Sequence, residues 1–267
     1  MMSKIRVAVA GPRGRMGSEA VKMILQDDEL QLVCGIDYKH EGEDIGEVLG
    51  LQPAGAPIDI NFGQALAIHK PDVVVDFTTP DIVKENMVIA IRHGVRPVVG
   101  TTGLSPDDIK ELDELCRNHN TGAIIAPNFA IGAVLMMKFA QEAAKYMPHV
   151  EIIEQHHDRK LDAPSGTAVK TAEMIREARQ ELKQGHPDEK EVLDGARGAY
   201  YGGFRIHSVR LPGLVAHQEV IFGAVGQTLT IRHDSINRES FMPGVNLAVK
   251  EVMKRTALIY GLEKIMV

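Results

Sequence analysis

The segment IRVAVAGPRGRMG, residues 5–17, decides the fold. Ile5 to Ala10 is a short apolar run that reads as a strand and stops at Gly11. Met16 to Leu25 then reads as a helix with Met16, Ala20, Met23 and Ile24 on one face. Between them Gly11, Gly14 and Gly17 are spaced GxxGxxG rather than GxGxxG. Glycines let the backbone approach a pyrophosphate, and the N–H groups at the helix N-terminus face it. Gly11, Pro12, Arg13, Gly14, Arg15 and Met16 are therefore candidate pyrophosphate residues. A glycine motif alone is a weak signal, but its context strengthens it. Asp37 ends the next strand, Leu30 to Ile36, 20 residues after Gly17. A ribose-binding carboxylate belongs there; a tight turn with a capping acid is the competing reading. Lys39 could meet a 2′-phosphate, whereas Asp37 favours a 2′-hydroxyl, so the pair hints at both NADH and NADPH. A solvated surface lysine fits position 39 equally well.

Outward from this loop, strand and helix patterns alternate. Asp72 to Thr78 (DVVVDFT) is apolar through its middle, as a strand buried on both faces is. A helix over about 81–92 follows, then a strand from Arg96 to Thr101. Ser105-Pro106-Asp107-Asp108 is a helix start, with a cap residue, a proline and acids near the positive end of the dipole. That helix turns Ile109, Leu112, Leu115 and Cys116 inward and stops near Asn118. Ala123 to Ala126 is a further strand. Such alternation implies a parallel sheet with helices on both faces, so residues 1–129 read as a Rossmann-type α/β domain. Ligands bind beyond the carboxyl ends of such strands. Phe77 with Thr78 and Thr79, then Gly100, Thr101 and Thr102, then Ala126, Pro127, Asn128 and Phe129 each follow a strand there. With the glycine loop they favour a nicotinamide cleft.

After about residue 130 the alternation stops. A Met-rich helix over 132–146, a strand over 150–155 and a helix over 166–183 precede a polar, Gly-rich stretch, 184–203, which reads as a mobile loop. Strand-like runs at Phe204–Leu211, Gln218–Ala224 and Thr228–His233 follow. Residues 130–238 thus read as a smaller α+β domain with a mixed sheet. A last helix, about 244–260, returns to the first domain, which takes 239–267 as well as 1–129.

Composition excludes several classes. The 267 residues include 30 basic and 36 acidic side chains, a net charge of −6, with 44% hydrophobic and 25% charged residues. These are values of a globular chain, not a disordered one. The acidic balance and a pI near 6.0 disfavour nucleic-acid partners. The longest apolar or glycine run, Phe129 to Met137, is far short of the ~20 residues that span a bilayer. Lys4 and Arg6 break up the N-terminal apolar stretch, which argues against a signal peptide. Cys34 and Cys116 match no disulfide or zinc spacing, which points to reduced thiols in the cytoplasm.

The richest chemistry lies in EQHHDRKLDAPSGTA, residues 154–168, which joins a strand to a helix. Ser165, Gly166 and Thr167 form the first turn of that helix and offer hydroxyls and N–H groups to an anion. Lys160 adds a positive charge. His156 and His157 can donate protons or hydrogen bonds near neutral pH. The combination suits a small carboxylate substrate that gains a proton, although the spacing fits an ordinary polar loop before a capped helix as well. Neighbouring residues on a strand point to opposite faces, so the two histidines are a poor ligand pair and no metal is expected.

Residues 154–168 resemble the E-x-H-H-x-x-K-x-D-A-P-S-G-T-A signature of the dihydrodipicolinate reductase family throughout. VAGPRGRMG (9–17), DFTTP (76–80), VVGTTG (98–103) and APNFAIG (126–132) are similar to that family in order and spacing, and the resemblance runs over essentially the whole chain. It implies NADH- or NADPH-dependent reduction of a cyclic imine dicarboxylate, 4-hydroxy-tetrahydrodipicolinate, to tetrahydrodipicolinate with loss of water, in diaminopimelate and lysine biosynthesis. It also implies His156 as acid/base, Lys160 as proton donor, and His157, Gly166 and Thr167 as carboxylate ligands. Gly11 to Met16 would hold the pyrophosphate, Asp37 the adenosine ribose, and Gly100–Thr102 with Ala126–Phe129 the nicotinamide end. It further implies a homotetramer built through the second domain's sheet, and a dry cleft made by bringing the domains together about hinges near 127–131 and 235–243. Some members carry Glu-Arg where this chain has Asp37-Tyr38-Lys39, so the resemblance leaves the choice between NADH and NADPH open. An aspartate-type amino-acid dehydrogenase on the same plan is the alternative. A nicotinamide-sensing regulator would need a basic DNA-binding helix that this sequence lacks.

Overall fold

The computed structural model describes residues 3–266. The chain divides into two compact units, one running up to Phe129 and resuming at Phe241, the other Ala130–Ser240. In the first unit β1 (Ile5–Ala10), α1 (Arg15–Gln26), β2 (Leu30–Ile36), α2 (Ile45–Val48), β3 (Ile58–Asp59), α3 (Phe62–His69), β4 (Val73–Asp76), α4 (Pro80–Arg92), β5 (Arg96–Val99), α5 (Pro106–His119) and β6 (Ala123–Ile125) follow in turn. The second unit holds α6 (Ile131–Ala144), β7 (His149–His156), α7 (Gly166–Ala178), β8 (Ala199–Tyr201), β9 (Phe204–Arg210), β10 (Ala216–Ala224) and β11 (Gln227–Ser235). The chain then re-enters the first unit as α8 (Met242–Val252) and β12 (Leu258–Tyr260).

The first unit is a seven-stranded parallel sheet in the order β12-β6-β5-β4-β1-β2-β3. Val73, Val74 and Val75 of the central β4 have no solvent exposure, because helices cover both faces. One core cluster joins Ala65 and Leu66 of α3 and Ala90 of α4 to β1, β2 and β4; a second joins α4 and α5 to β5 and β6. The α5 start is a full capping box, in which Ser105 and Asp108 bond each other's backbone N–H. The buried stripe of α1 is Gly17, Ala20, Val21 and Ile24; Ala20 and Ile24 are on the expected face, while Gly17 and Val21 take the places of Met16 and Met23, since Gly17 is the residue that meets the loop. The second unit is a mixed sheet, β11-β10-β7-β9-β8, in which β7 and β9 run parallel and the other pairs antiparallel.

Three stretches differ from expectation. The last helix does not reach residue 260: α8 ends at Val252, and Leu258–Tyr260 becomes an edge strand paired with Ala123–Ile125. Three residues are too few for a strand pattern to show, and β6 supplies the partner. Helix α7 ends at Ala178 rather than 183, because Arg179 turns extended, lies over the Phe204 ring and donates to the Leu182 carbonyl at 2.6 Å. The stretch 184–203 is tied down rather than a free loop. It contains β8, and Arg197 pairs with Glu151 at 2.6 Å and Glu189 at 3.0 Å. Gln184 bonds both the N–H and the carbonyl of Val150, as a neighbouring strand would.

Candidate active site

The first unit places the glycine loop where β1 ends. Gly11 has φ +74°, a left-handed conformation, and a Cβ there would lie 3.1 Å from the Phe77 carbonyl oxygen. A Cβ at Gly17 would lie 2.0 Å from the Gly11 oxygen, so only glycine lets α1 start this close to the loop. This is a cradle that side chains would fill, and it fits a pyrophosphate. Beside it opens a cleft of about 750 Å³ whose lining includes Gly11, Arg13, Gly14, Asp37 and Phe77 from the sequence-derived set. Thr78 and Thr79, expected with Phe77 at the strand end, line it too, as do Tyr38, Asn61 and Asn86, which no local pattern singles out. Pro12 is buried beneath the loop, and Arg15 is exposed at the first turn of α1.

Asp37 ends β2 as expected, but it is paired: its Oδ1 accepts from Arg13 at 2.6 Å. The hydrogen bond to Asp37 is the main force that raises the Arg13 pKa above its ordinary value. The exposed Tyr38 ring carries Arg13 at 5.0 Å and Lys39 at 5.5 Å from its centroid. Two cations and one carboxylate therefore lie together at the end of β2, where the sequence points to Lys39 as the cation.

Behind the β4 loop sits Asp76, 1% exposed. Its carboxylate accepts from the Thr78 N–H at 2.8 Å, the Thr78 hydroxyl at 2.5 Å and Asn86 Nδ2 at 2.9 Å. Burial pushes this carboxyl above its ordinary range despite those bonds. Thr101 donates to the Thr78 carbonyl at 2.9 Å, which joins the β5 loop to the β4 loop. Phe77 and Phe129 meet edge to face, with centroids 6.1 Å apart, and a Cβ at Gly100 would strike the Phe77 ring at 2.3 Å. Gly100–Thr102 and Ala126–Phe129 follow the ends of β5 and β6 next to Phe77, which lines the cleft although they do not.

In the second unit His156 closes β7, and its Nδ1 lies 2.6 Å from Glu154 Oε2. Lys160 Nζ lies 2.7 Å from Asp162 Oδ1, and that hydrogen bond holds the Asp162 carboxyl below its ordinary range. Ser165 differs from the expected ligand. It is 2% exposed, and its hydroxyl accepts from the Ala168 N–H at 3.2 Å as the N-cap of α7. It builds the turn and does not present its hydroxyl outward. Gly166 is exposed, with open space where a Cβ would stand, so an anion can reach the helix end there. Glu154 and Arg210 complete the loop from outside the expected set. Arg210 grips Glu154 through two bonds, 2.7 and 2.9 Å, and reaches the Asp162 carbonyl at 2.8 Å. The spacing of Glu154 and His156, two apart on one strand and so on one face, is the signal that could have linked them. Nothing local links Arg210, 56 residues away.

Among the described residues, one trio of potential metal ligands converges, Cys34, Asp59 and His69, within 4.8 Å of one another. Burial pushes the Cys34 thiol up to about 12, and His69 already bonds Asp59 at 2.9 Å, so the trio reads as a hydrogen-bonded pair beside a protonated thiol.

Comparison with known proteins adds to this geometry. Family models described as dihydrodipicolinate reductase, N-terminus, and dihydrodipicolinate reductase, C-terminus, match residues 5–129 and 132–266. A 4-hydroxy-tetrahydrodipicolinate reductase of Halalkalibacterium halodurans is 62% identical over 261 residues, 98% of this chain and 99% of that protein. One from Geobacillus kaustophilus is 60% identical over 262 residues, again 98% and 99%. The dipicolinate-bound dihydrodipicolinate reductase of Paenisporosarcina sp. TG-14 superposes with a TM-score of 0.89 at 52% identity, over 98% of this chain and all of that one. An amine dehydrogenase of Mycobacterium smegmatis, TM-score 0.71 at 17% identity over 97% and 95% of the two chains, shares the fold alone.

Proposed function

The chain belongs to the dihydrodipicolinate reductase family, and we propose that the loop from Glu154 to Ala168 performs that family's reaction in it. The activity is NADH- or NADPH-dependent reduction of 4-hydroxy-tetrahydrodipicolinate to tetrahydrodipicolinate, with loss of the 4-hydroxyl as water, in diaminopimelate and lysine biosynthesis. The reduced nicotinamide supplies a hydride to C4 of the ring. Lys160 donates the proton, and His156 acts as acid/base beside it. His157, Gly166 and Thr167 hold the two carboxylates. In the first unit Gly11 to Met16 hold the pyrophosphate, Asp37 the adenosine ribose, and Phe77, Gly100–Thr102 and Ala126–Phe129 the nicotinamide end. An aspartate-type dehydrogenase is not favoured, because relatives at 60% identity and above are reductases of the cyclic imine.

The observation that carries this reading is the gathering of His156, Lys160 and the open N-terminal turn at Gly166 in one strand-to-helix loop. A coupled assay tests it. Dihydrodipicolinate synthase makes the unstable imine from pyruvate and aspartate semialdehyde, and the absorbance of NADH and of NADPH is followed separately. Synthase-dependent oxidation is expected. A folded protein that binds both cofactors and oxidises neither would overturn the assignment.

Two coarser features accompany it. The outward face of the β7 and β10 strands pairs Ile153 and Ile221 with charged neighbours, which supports a homotetramer assembled through this sheet; light scattering measures its mass. Both cysteines are buried and unpaired, which supports a reducing, cytoplasmic setting.

A further inference from the structure

Glu154 has no solvent exposure, yet two N–H groups of Arg210, the His156 ring, the Ser165 N–H and the Ser208 hydroxyl converge on its carboxylate. His156 Nδ1 and Arg210 Nη1 meet Oε2 at 2.6 and 2.9 Å; Arg210 Nη2 and the Ser165 N–H meet Oε1 at 2.7 and 3.2 Å. Burial alone would raise this carboxyl, but the hydrogen bonds from His156, Arg210 and Ser208 outweigh it and hold it at about 2. The group is therefore ionised at any working pH, and an ionised carboxylate only accepts. The nitrogen of His156 that faces it must carry a proton for as long as the bond lasts. That leaves Nε2 as the nitrogen that exchanges protons.

The same carboxylate reaches further. Its bond to the Ser165 N–H fixes the residue that caps α7, immediately before Gly166 and Thr167. Its arginine partner bonds the carbonyl of Asp162, whose side chain holds Lys160. A buried ion pair that only stabilised the unit would need the two Arg210 bonds and nothing else. Here one carboxylate bonds His156 directly, bonds Ser165 immediately before Gly166 and Thr167, and reaches Lys160 in three hydrogen bonds through Arg210 and Asp162.

We propose that Glu154, locked by Arg210, is the positioning residue of the reductase site: it fixes His156 as the Nδ1-protonated tautomer and holds that ring in register with the Lys160 loop and the turn at Ser165–Thr167. The proposal rests on the roles given above to His156 and Lys160.

The test reads the tautomer directly. The intact enzyme is labelled with ¹⁵N-histidine, and His156→Asn identifies the His156 signals among the eleven histidines. At a pH where the ring is neutral, the native enzyme should show the proton on Nδ1. Glu154→Gln leaves two acceptor lone pairs on one oxygen and adds an N–H donor where several donors already meet, so His156 Nδ1 should become an acceptor and the proton should move to Nε2. Turnover should fall about 100-fold or more, since neutralising the orienting carboxylate of a Ser-His-Asp triad costs about 10⁴-fold, with NADH affinity within about twofold of native, since that site lies in the other unit. In a His156→Asn background the same change should cost less than about threefold, because the group it acts through is gone. If Glu154→Gln does not fold, Glu154→Gln with Arg210→Met removes both charges together and is read in the same way. A native His156 protonated on Nε2, an unchanged tautomer in the variant, or an undiminished loss in the His156→Asn background would overturn the proposal. Full turnover in His156→Asn would instead overturn the role of His156 on which it rests.

Discussion

Replacing Gly17 by alanine sets two effects of opposite sign against each other. Gly17 lies in the first turn of α1, where alanine is about 1 kcal/mol better than glycine on helix propensity alone. In this fold the added Cβ would stand 2.0 Å from the Gly11 oxygen, 2.8 Å from the Gly11 carbonyl carbon and 2.9 Å from Pro12 Cα. All three are backbone atoms, so no side chain can rotate away. The helix must withdraw from the loop by more than about 1 Å to restore ordinary van der Waals contact. It cannot do so freely, because Ala20, Val21 and Ile24 of the same helix are at most 1% exposed. Overpacking of this kind costs about 1–3 kcal/mol, so the clash outweighs the propensity gain and the net sign is destabilising. For a chain of this size a net loss of about 1–2 kcal/mol lowers Tm by roughly 2–8 °C. The loop N–H groups move with the helix, and loss of one charge-assisted hydrogen bond to the pyrophosphate weakens NADH binding about tenfold or more. Differential scanning calorimetry and isothermal titration with NADH measure the two effects. Gly166→Ala is the internal control: it also lies in a first helical turn but no atom lies within 4 Å of its Cβ, so the propensity gain is unopposed and Tm should hold or rise by up to about 4 °C. A Gly17→Ala protein that is more stable than native and binds NADH normally would refute the packing of α1 on the glycine loop.

Other outcomes can be checked in the same assays. Lys160→Ala removes the proposed proton donor and should lower turnover about 100-fold or more while NADH affinity stays within twofold; native turnover would sink the proton-donor role. Arg13, which now spends its charge on Asp37 at 2.6 Å, is poised to turn to a 2′-phosphate, so Arg13→Ala should weaken NADPH about tenfold more than NADH. Equal losses for both cofactors would place Arg13 on the pyrophosphate instead. Acid stability should carry the signature of Glu154. Its carboxyl is held at about 2 against an ordinary 4.5, so the stabilisation is fully present above pH 4.5 and is lost as pH falls towards 2. The shift corresponds to about 3 kcal/mol. Urea midpoints measured across that window should drop less steeply in Glu154→Gln than in the native protein, and parallel curves would contradict the assignment.

Local chemistry made much of this protein legible in its residues. Strand, glycine loop, helix and terminal acid follow one another within Ile5–Asp37, and each is set by neighbours a few residues away, so β1, α1 and β2 lie where the pattern put them. The start of α5 at Pro106 is equally local, because a capping box needs only Ser105 and Asp108. The loop from Glu154 to Ala168 showed its histidines, its lysine and its helix turn for the same reason. What escaped were features whose partners lie far along the chain. β12 is a strand only because β6 offers it an edge, and its own three residues carry no period. Arg13 was assigned to the loop, but its pairing with Asp37, 24 residues on, depends on β2 lying beside β1. Arg210 reaches Glu154 because β9 runs parallel to β7 with His156 opposite Arg210, a register that no window of sequence contains. Glu154 itself stood in plain view at the head of the signature, but a buried carboxylate shows its role only through the donors around it. Those donors are brought from β7, β9 and the start of α7 by tertiary packing, because the cost of burying a charge is met by groups that only the folded chain can gather.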